Sequence, residues 1–150
     1  MNRQEQKIYV GIDVSKHHLD VYINSTKQLV KVTNDQIGIQ ELTTILSKQQ
    51  PITLIVLEAT GGYERLVART LAEAKFPMRI MNPRQVRDFA KALGQLAKTD
   101  QVDCRILALF AEKVEPAARP LRTQEQQDLV DLKGRRQQLV DMITMEKNRL

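Results

Sequence analysis

The chain is poor in cysteine and in aromatic residues. One of its 150 residues is cysteine and none is tryptophan. The single Cys104 excludes an internal disulfide framework and suits a reducing compartment. With the adjacent His17 and His18 it still falls short of the four ligands of a structural zinc site. Aromatic residues make up 4%, so stacking on bases is not expected to be the main mode of any nucleic-acid recognition. Nothing resembles a signal peptide, and the longest apolar run, ITLIVL, is far too short to cross a bilayer, so no membrane partner is expected. Internal repeats and low-complexity segments are missing too.

What is present is ordinary for one α/β domain with a real core: 42% hydrophobic and 27% charged residues. The net charge of +5 hints at a polyanionic partner. The hint strengthens if four acids sit on metal, because 23 basic residues would then face 14 of the 18 acids.

KIYVGIDVS alternates, with Val10, Ile12 and Val14 on one face and Tyr9, Gly11 and Asp13 on the other. HHLDVYIN repeats the pattern with Leu19, Val21 and Ile23, and sets His17 and His18 on opposite faces of a strand. QLVKVT completes an antiparallel meander. The following helix is expected to be capped by Asn34 and ended by Pro51, with Ile39, Leu42, Ile45 and Leu46 on one face. ITLIVLE, nearly all apolar and β-branched, fits a central parallel strand. EATGGY turns into an amphipathic helix, and PMRIM is a short strand. NPRQVRDFAKALG is a helix with Asn82 as cap, Pro83 in its first position and Gly94 just past its end. A further helix begins in KTDQVDCRILALFAEKV with Thr99 as its cap. EPAARP is the linker candidate, and one long helix follows, with Leu129, Leu132, Leu139, Ile143 and Leu150 near heptad spacing. Arg136 and Glu146 interrupt that seam. The expected division is a domain over 1–114, a linker over 115–122 and a helical segment over 123–150. An apolar seam ending mid-pattern suggests a dimerising coiled coil in a chain cut from something longer.

Four carboxylates stand out. Asp13 and Glu58 fall at the carboxyl ends of two strands, where open α/β sheets place their ligands. Each is costly to bury unless paired or metal-bound. Asp100 and Asp103, about one helical turn apart, would share a helix face. Taken alone, these two are explained by first-turn compensation of the helix dipole. If the first and fourth strands are neighbours and the helix packs across their ends, all four acids converge. Such a cluster repels itself unless a hard cation such as Mg²⁺ or Mn²⁺ is present. Those ions assist phosphodiester transfer, and the strand order is what an RNase H-like nuclease core needs.

YVGIDVSKHHLDVYI, LEATGGYERLVARTLAEAKFPMRIMNPRQVRDFAKALG and AKTDQVDCRILALFAE closely resemble the N-terminal part of the DEDD-type insertion-sequence transposases, a family that includes the pilin-gene inverting recombinase. The resemblance spans roughly residues 7 to 114. It implies a RuvC-like domain, an RNase H-like mixed five-stranded sheet flanked by helices. Asp13, Glu58, Asp100 and Asp103 would be the Mg²⁺-binding catalytic acids. It further implies donor and target DNA as substrates, a structured guide (bridge) RNA, and a prokaryotic, cytoplasmic, nucleoid-associated setting. Family members carry a nucleophilic serine in a second domain after the long helix, and neither Ser15 nor Ser47 matches it. Lys16, Arg84, Arg87, Lys91, Lys98 and Arg105 are candidate contacts to a nucleic-acid backbone. Thr60, Gly61 and Gly62 could cradle a phosphate, or simply form a tight strand-to-helix turn. The long helix is expected to form a homo-oligomer rather than read nucleic acid. Two alternatives stand beside the enzyme: a non-catalytic RNA- or DNA-binding scaffold, and an actin-like ATPase lobe, for which GIDVSK is a loose match.

Overall fold

A computed structural model of the chain describes residues 6–49, 51–94, 102–119, 121 and 124–149. Two compact units emerge, residues 1–120 and residues 121–150. In the first, β1 (Tyr9–Val14), β2 (His18–Ile23) and β3 (Gln28–Thr33) form the antiparallel meander. Then come α1 (Gln36–Ser47), β4 (Leu54–Glu58), α2 (Arg65–Glu73), β5 (Met78–Met81), α3 (Pro83–Ala92) and α4 (Cys104–Val114). The sheet order is β3-β2-β1-β4-β5, with β4 parallel to both β1 and β5.

Period-two alternation explains the layers. Val10, Ile12 and Val14 pair with Ile23, Val21 and Leu19 across the β1–β2 ladder, and all six are buried. The other face carries Tyr9, Leu54, Val56 and Met81. These join Val86 of α3, Val102, and Leu107, Phe110 and Ala111 of α4 in one cluster. Phe89 and Phe110 meet edge to face at 5.2 Å, which locks α3 to α4. That leaves the first face to the buried residues of α1 and α2, which pack on each other.

Gly11 determines how closely α4 approaches β1. A Cβ at Gly11 would lie 2.1 Å from the Cys104 carbonyl oxygen and 2.4 Å from the Ala108 nitrogen. The space beside Asp13 that this glycine opens is therefore filled by helix backbone.

Several boundaries differ from those the sequence suggested. Asp35, not Asn34, caps α1: its carboxylate accepts from the Gly38 N–H at 2.7 Å and from the Thr33 hydroxyl at 2.8 Å. The helix ends at Ser47, ahead of Pro51. Asp103 caps α4, accepting from the Ile106 N–H at 3.0 Å. The later start goes with Val102, which is buried in the core, and with the extended backbone of Asp103. Thr99 lies outside the described residues. His17 belongs to the three-residue loop between β1 and β2, across which the Ser15 N–H donates to the His18 carbonyl at 2.9 Å. Only His18 is in a strand.

The second unit is α5 (Gln124–Arg149). Its Leu129, Leu132, Leu139 and Ile143 are all exposed, and Leu150 lies outside the described residues. Among the described residues, no helix is long and apolar enough to cross a membrane.

Candidate functional site

Parallel pairing sets Gly11 level with Val56 and Ile12 level with Leu57, so Asp13 and Glu58 occupy neighbouring positions at the carboxyl ends of β1 and β4. Both follow the alternation of the face that α4 covers. Asp103, at the start of α4, lies at the same end, because that helix begins over Gly11. Three of the four expected acids are thus brought together, and Asp100 lies outside the described residues.

Burial and like charges oppose ionisation of Asp13 and Glu58, and of the two only Glu58 has a cation acting on it. Burial pushes the Asp13 carboxyl up to about 6, helped by the negative charges of Asp20 and Asp103. Burial and then Asp13 raise Glu58, while the Arg87 guanidinium of α3 pulls it back. The neighbouring Cys104 thiol is pushed up to about 11 by burial and by Asp103, Asp20 and Asp13. Cys104 is buried, in keeping with a small packing residue. Among the described residues, neither the Asp13 nor the Glu58 carboxylate has a hydrogen bond or ion pair. No three described His, Cys, Asp or Glu side chains converge closely enough to hold an ion by themselves. Carboxylate oxygens are the donors that a hard divalent cation takes, so the chemistry of these residues fits such an ion although the described acids do not close around one.

Asp20 is the acid that the sequence reading missed. It stands directly opposite Asp13 in the β1–β2 ladder. The sequence holds no local signal for this, because a pairing register belongs to two strands together.

The loops beyond the two strands are tied down. Asn34, freed from capping, donates through Nδ2 to the Ser15 carbonyl at 2.9 Å and to the Tyr63 carbonyl at 3.0 Å. It therefore joins the loop after β1 to the loop after β4. Gly61 and Gly62 adopt φ of +78° and +120°, conformations open to glycine. The Thr60 and Gly62 N–H groups, candidates either for a phosphate cradle or for a tight turn, donate to Glu64 Oε2 at 3.2 and 3.0 Å. The Thr60 hydroxyl does the same at 3.0 Å. The turn is thus closed by the chain's own carboxylate.

Of the candidate basic residues, Arg87 is half-buried and acts on Glu58. Arg84 and Lys91 are exposed elsewhere on α3, Arg105 is exposed in the first turn of α4, and Lys16 is exposed in the β1–β2 loop. Lys98 lies outside the described residues.

Sheet order, crossing helix and strand-end acids define an RNase H-like domain of the RuvC type. Two Thermus thermophilus RuvC structures share the fold at 16% identity, one of them a complex with a Holliday junction substrate. Their TM-scores are 0.50 and 0.51, covering 77% and 76% of this chain and 100% and 99% of theirs. Within that class the chain belongs to the DEDD_Tnp_IS110 family of transposases, whose model matches residues 10–150. It is 33% identical over 115 residues to the pilin gene-inverting protein of Moraxella bovis, covering 73% of this chain and 36% of that protein. It is 26% identical over 137 residues to the putative transposase y4pF/y4sB of Sinorhizobium fredii, covering 91% and 33% respectively. The chain thus spans about a third of the length of these relatives.

Proposed function

We propose that this chain is the catalytic domain of a DNA transposase or recombinase, with Asp13, Glu58, Asp100 and Asp103 as its metal-holding acids. The observation that carries the reading is Asp13: half-buried, unpartnered among the described residues and pushed up to about 6, beside Glu58 and Asp103. Asp13, Glu58, Asp100 and Asp103 would hold Mg²⁺ or Mn²⁺, which would supply charge neutralisation at a scissile DNA phosphate. The protein's own part is to fix the oxygen donors on rigid strand ends and keep them ionised. Arg87 serves the second purpose at Glu58, and Asn34 holds the two flanking loops. Lys16, Arg84, Arg87, Lys91, Lys98 and Arg105 would position donor and target DNA, or a structured guide RNA, through backbone phosphates. Thr60, Gly61 and Gly62 would contribute shape at that surface, since Glu64 already takes two of their N–H groups. The exposed apolar side chains of α5 would bring copies of the protein together. The nucleophilic serine expected of the family would come from a part of the protein outside this chain.

A plasmid recombination assay, using the full reading frame that contains this chain, tests the proposal. Asp13→Asn and Glu58→Gln are each expected to lower recombination at least a hundredfold while nucleic-acid binding persists. Full recombination by both variants would leave only the scaffold reading.

A further inference from the structure

We propose that Tyr63 stacks on a base of the DNA strand on which the chain acts, next to the scissile phosphate. The inference rests on the function proposed above and adds a base contact to it. Of the three tyrosines and three phenylalanines, Tyr9, Phe76 and Phe110 are buried, and Tyr22 and Phe89 are half-buried. Tyr63 alone is exposed, at 49%. Among the described residues its hydroxyl has no hydrogen-bond partner, and its ring packs on no other ring. Neither hydrogen bonding nor ring packing within the domain calls for an aromatic side chain here.

The turn that carries this ring is fixed from both sides. Glu64, next in sequence, ties back to Thr60 and Gly62 through its carboxylate. The Tyr63 carbonyl accepts from Asn34 Nδ2, and the same nitrogen donates to the Ser15 carbonyl. The backbones of Tyr63 and Ser15 therefore lie two hydrogen-bond lengths apart, and Ser15 is two residues beyond Asp13. Exposed Lys16 follows directly. One amide thus joins a loop bearing a cation to a turn bearing a ring, which match the phosphate and the base of a nucleotide. A ring already held on an ordered turn loses little freedom when it stacks. Single exposed apolar side chains are ordinary on a protein surface, but Tyr63 has company. β3 and β4 both run in the direction of β1, so α1 and α2 start at the same end of the sheet. Ile37 and Leu66, in the first turns of those helices, are exposed there too. An apolar rim beside Lys16 suits a ligand with apolar faces and an anionic backbone.

The test takes the full reading frame that contains this chain and a single-stranded DNA oligonucleotide carrying 5-iodouracil. After irradiation, mass spectrometry is expected to find the cross-link on the peptide that contains Tyr63. Affinity for the same oligonucleotide, read by fluorescence anisotropy, is expected to fall about tenfold in Tyr63→Ala and to persist in Tyr63→Phe and Tyr63→Trp. Tyr63→Leu, which keeps apolar bulk without a π face, is expected to bind as weakly as Tyr63→Ala. All these variants are expected to melt with the wild type, because the side chain is exposed. Wild-type affinity in Tyr63→Leu alongside a loss in Tyr63→Ala would mark an apolar docking contact and overturn stacking. Wild-type affinity in Tyr63→Ala, with recombination still lost in Asp13→Asn, would overturn the role of Tyr63 and leave the proposed function intact. A wild type that binds no oligonucleotide, with full recombination by Asp13→Asn, would overturn both. A Tyr63→Ala variant that melts well below the wild type marks a structural role and overturns the inference. A loss confined to an RNA oligonucleotide of the same sequence would overturn the assignment to DNA.

Discussion

β1 and α4 run against each other, and the acids at the two ends of their contact are treated in opposite ways. At the amino end of β1, the Tyr9 hydroxyl donates to Glu115, which closes α4 in the left-handed conformation at φ 47°. Lys7 Nζ lies 3.3 Å from the same carboxylate. Those two donors hold the Glu115 carboxyl below its usual range. At the carboxyl end, Asp13 faces Asp20 and Asp103 and is pushed up instead. The same strand and helix thus supply partners to one acid and like charges to the other. An acid that serves the fold receives a donor, and we read the acid left without one as kept for a ligand.

The comparison breaks most completely at Gly11, the point where strand and helix touch. Gly11→Val would force α4 away, since the obstructing atoms are helix backbone rather than flexible side-chain ends. Overpacking of this kind costs about 1–3 kcal/mol and sometimes more, and this should fall at the upper end. Urea denaturation should show it as a lowered midpoint, with Gly11→Ala intermediate.

Next in size is Asp13→Asn, which should stabilise the metal-free protein. The Asp13 pKa is raised from 3.8 to about 6, so the folded chain holds the proton more tightly than the unfolded one. Its penalty is therefore absent below pH 3.8, grows as pH rises from there to about 6, and is complete above that. Discounted for the solvent that reaches a half-buried group, the gain from Asp13→Asn is on the order of 1–2 kcal/mol in EDTA above neutral pH. Denaturation series across pH should show the two proteins converging in acid.

At the satisfied end the effects run the other way and are smaller. Tyr9→Phe removes the hydroxyl that α4's last carboxylate accepts, a loss of about 1 kcal/mol in thermal denaturation. Lys7→Ala breaks an exposed ion pair and should change stability by less than about 0.5 kcal/mol.

Much of this was legible in the sequence because it depends on local pattern. Alternation in KIYVGIDVS and HHLDVYIN gives the two faces, and the unbroken apolar ITLIVLE gives the central parallel strand. Asn82, Pro83 and Gly94 bracket α3 because capping chemistry is short-range. Where neighbours compete, that locality fails. Asn34 and Asp35 are both good caps, and the choice turned on two carbonyls distant in sequence that only Asn34's amide could serve. Dipole logic placed Asp103 in a helix's first turn behind Thr99, whereas Asp103 is itself the cap of a helix that starts at Cys104, next to the buried Val102. Asp20 was hidden for a different reason: its meaning lies in a cross-strand register, not in its own surroundings along the chain.

The claim that the carboxyl end of β1 and β4 holds a divalent cation is tested most directly by calorimetric titration with Mn²⁺ just above neutral pH, comparing the wild type with Asp13→Asn and Glu58→Gln. The account predicts saturable binding by the wild type and its loss in both variants. Equal affinity in all three proteins would contradict it.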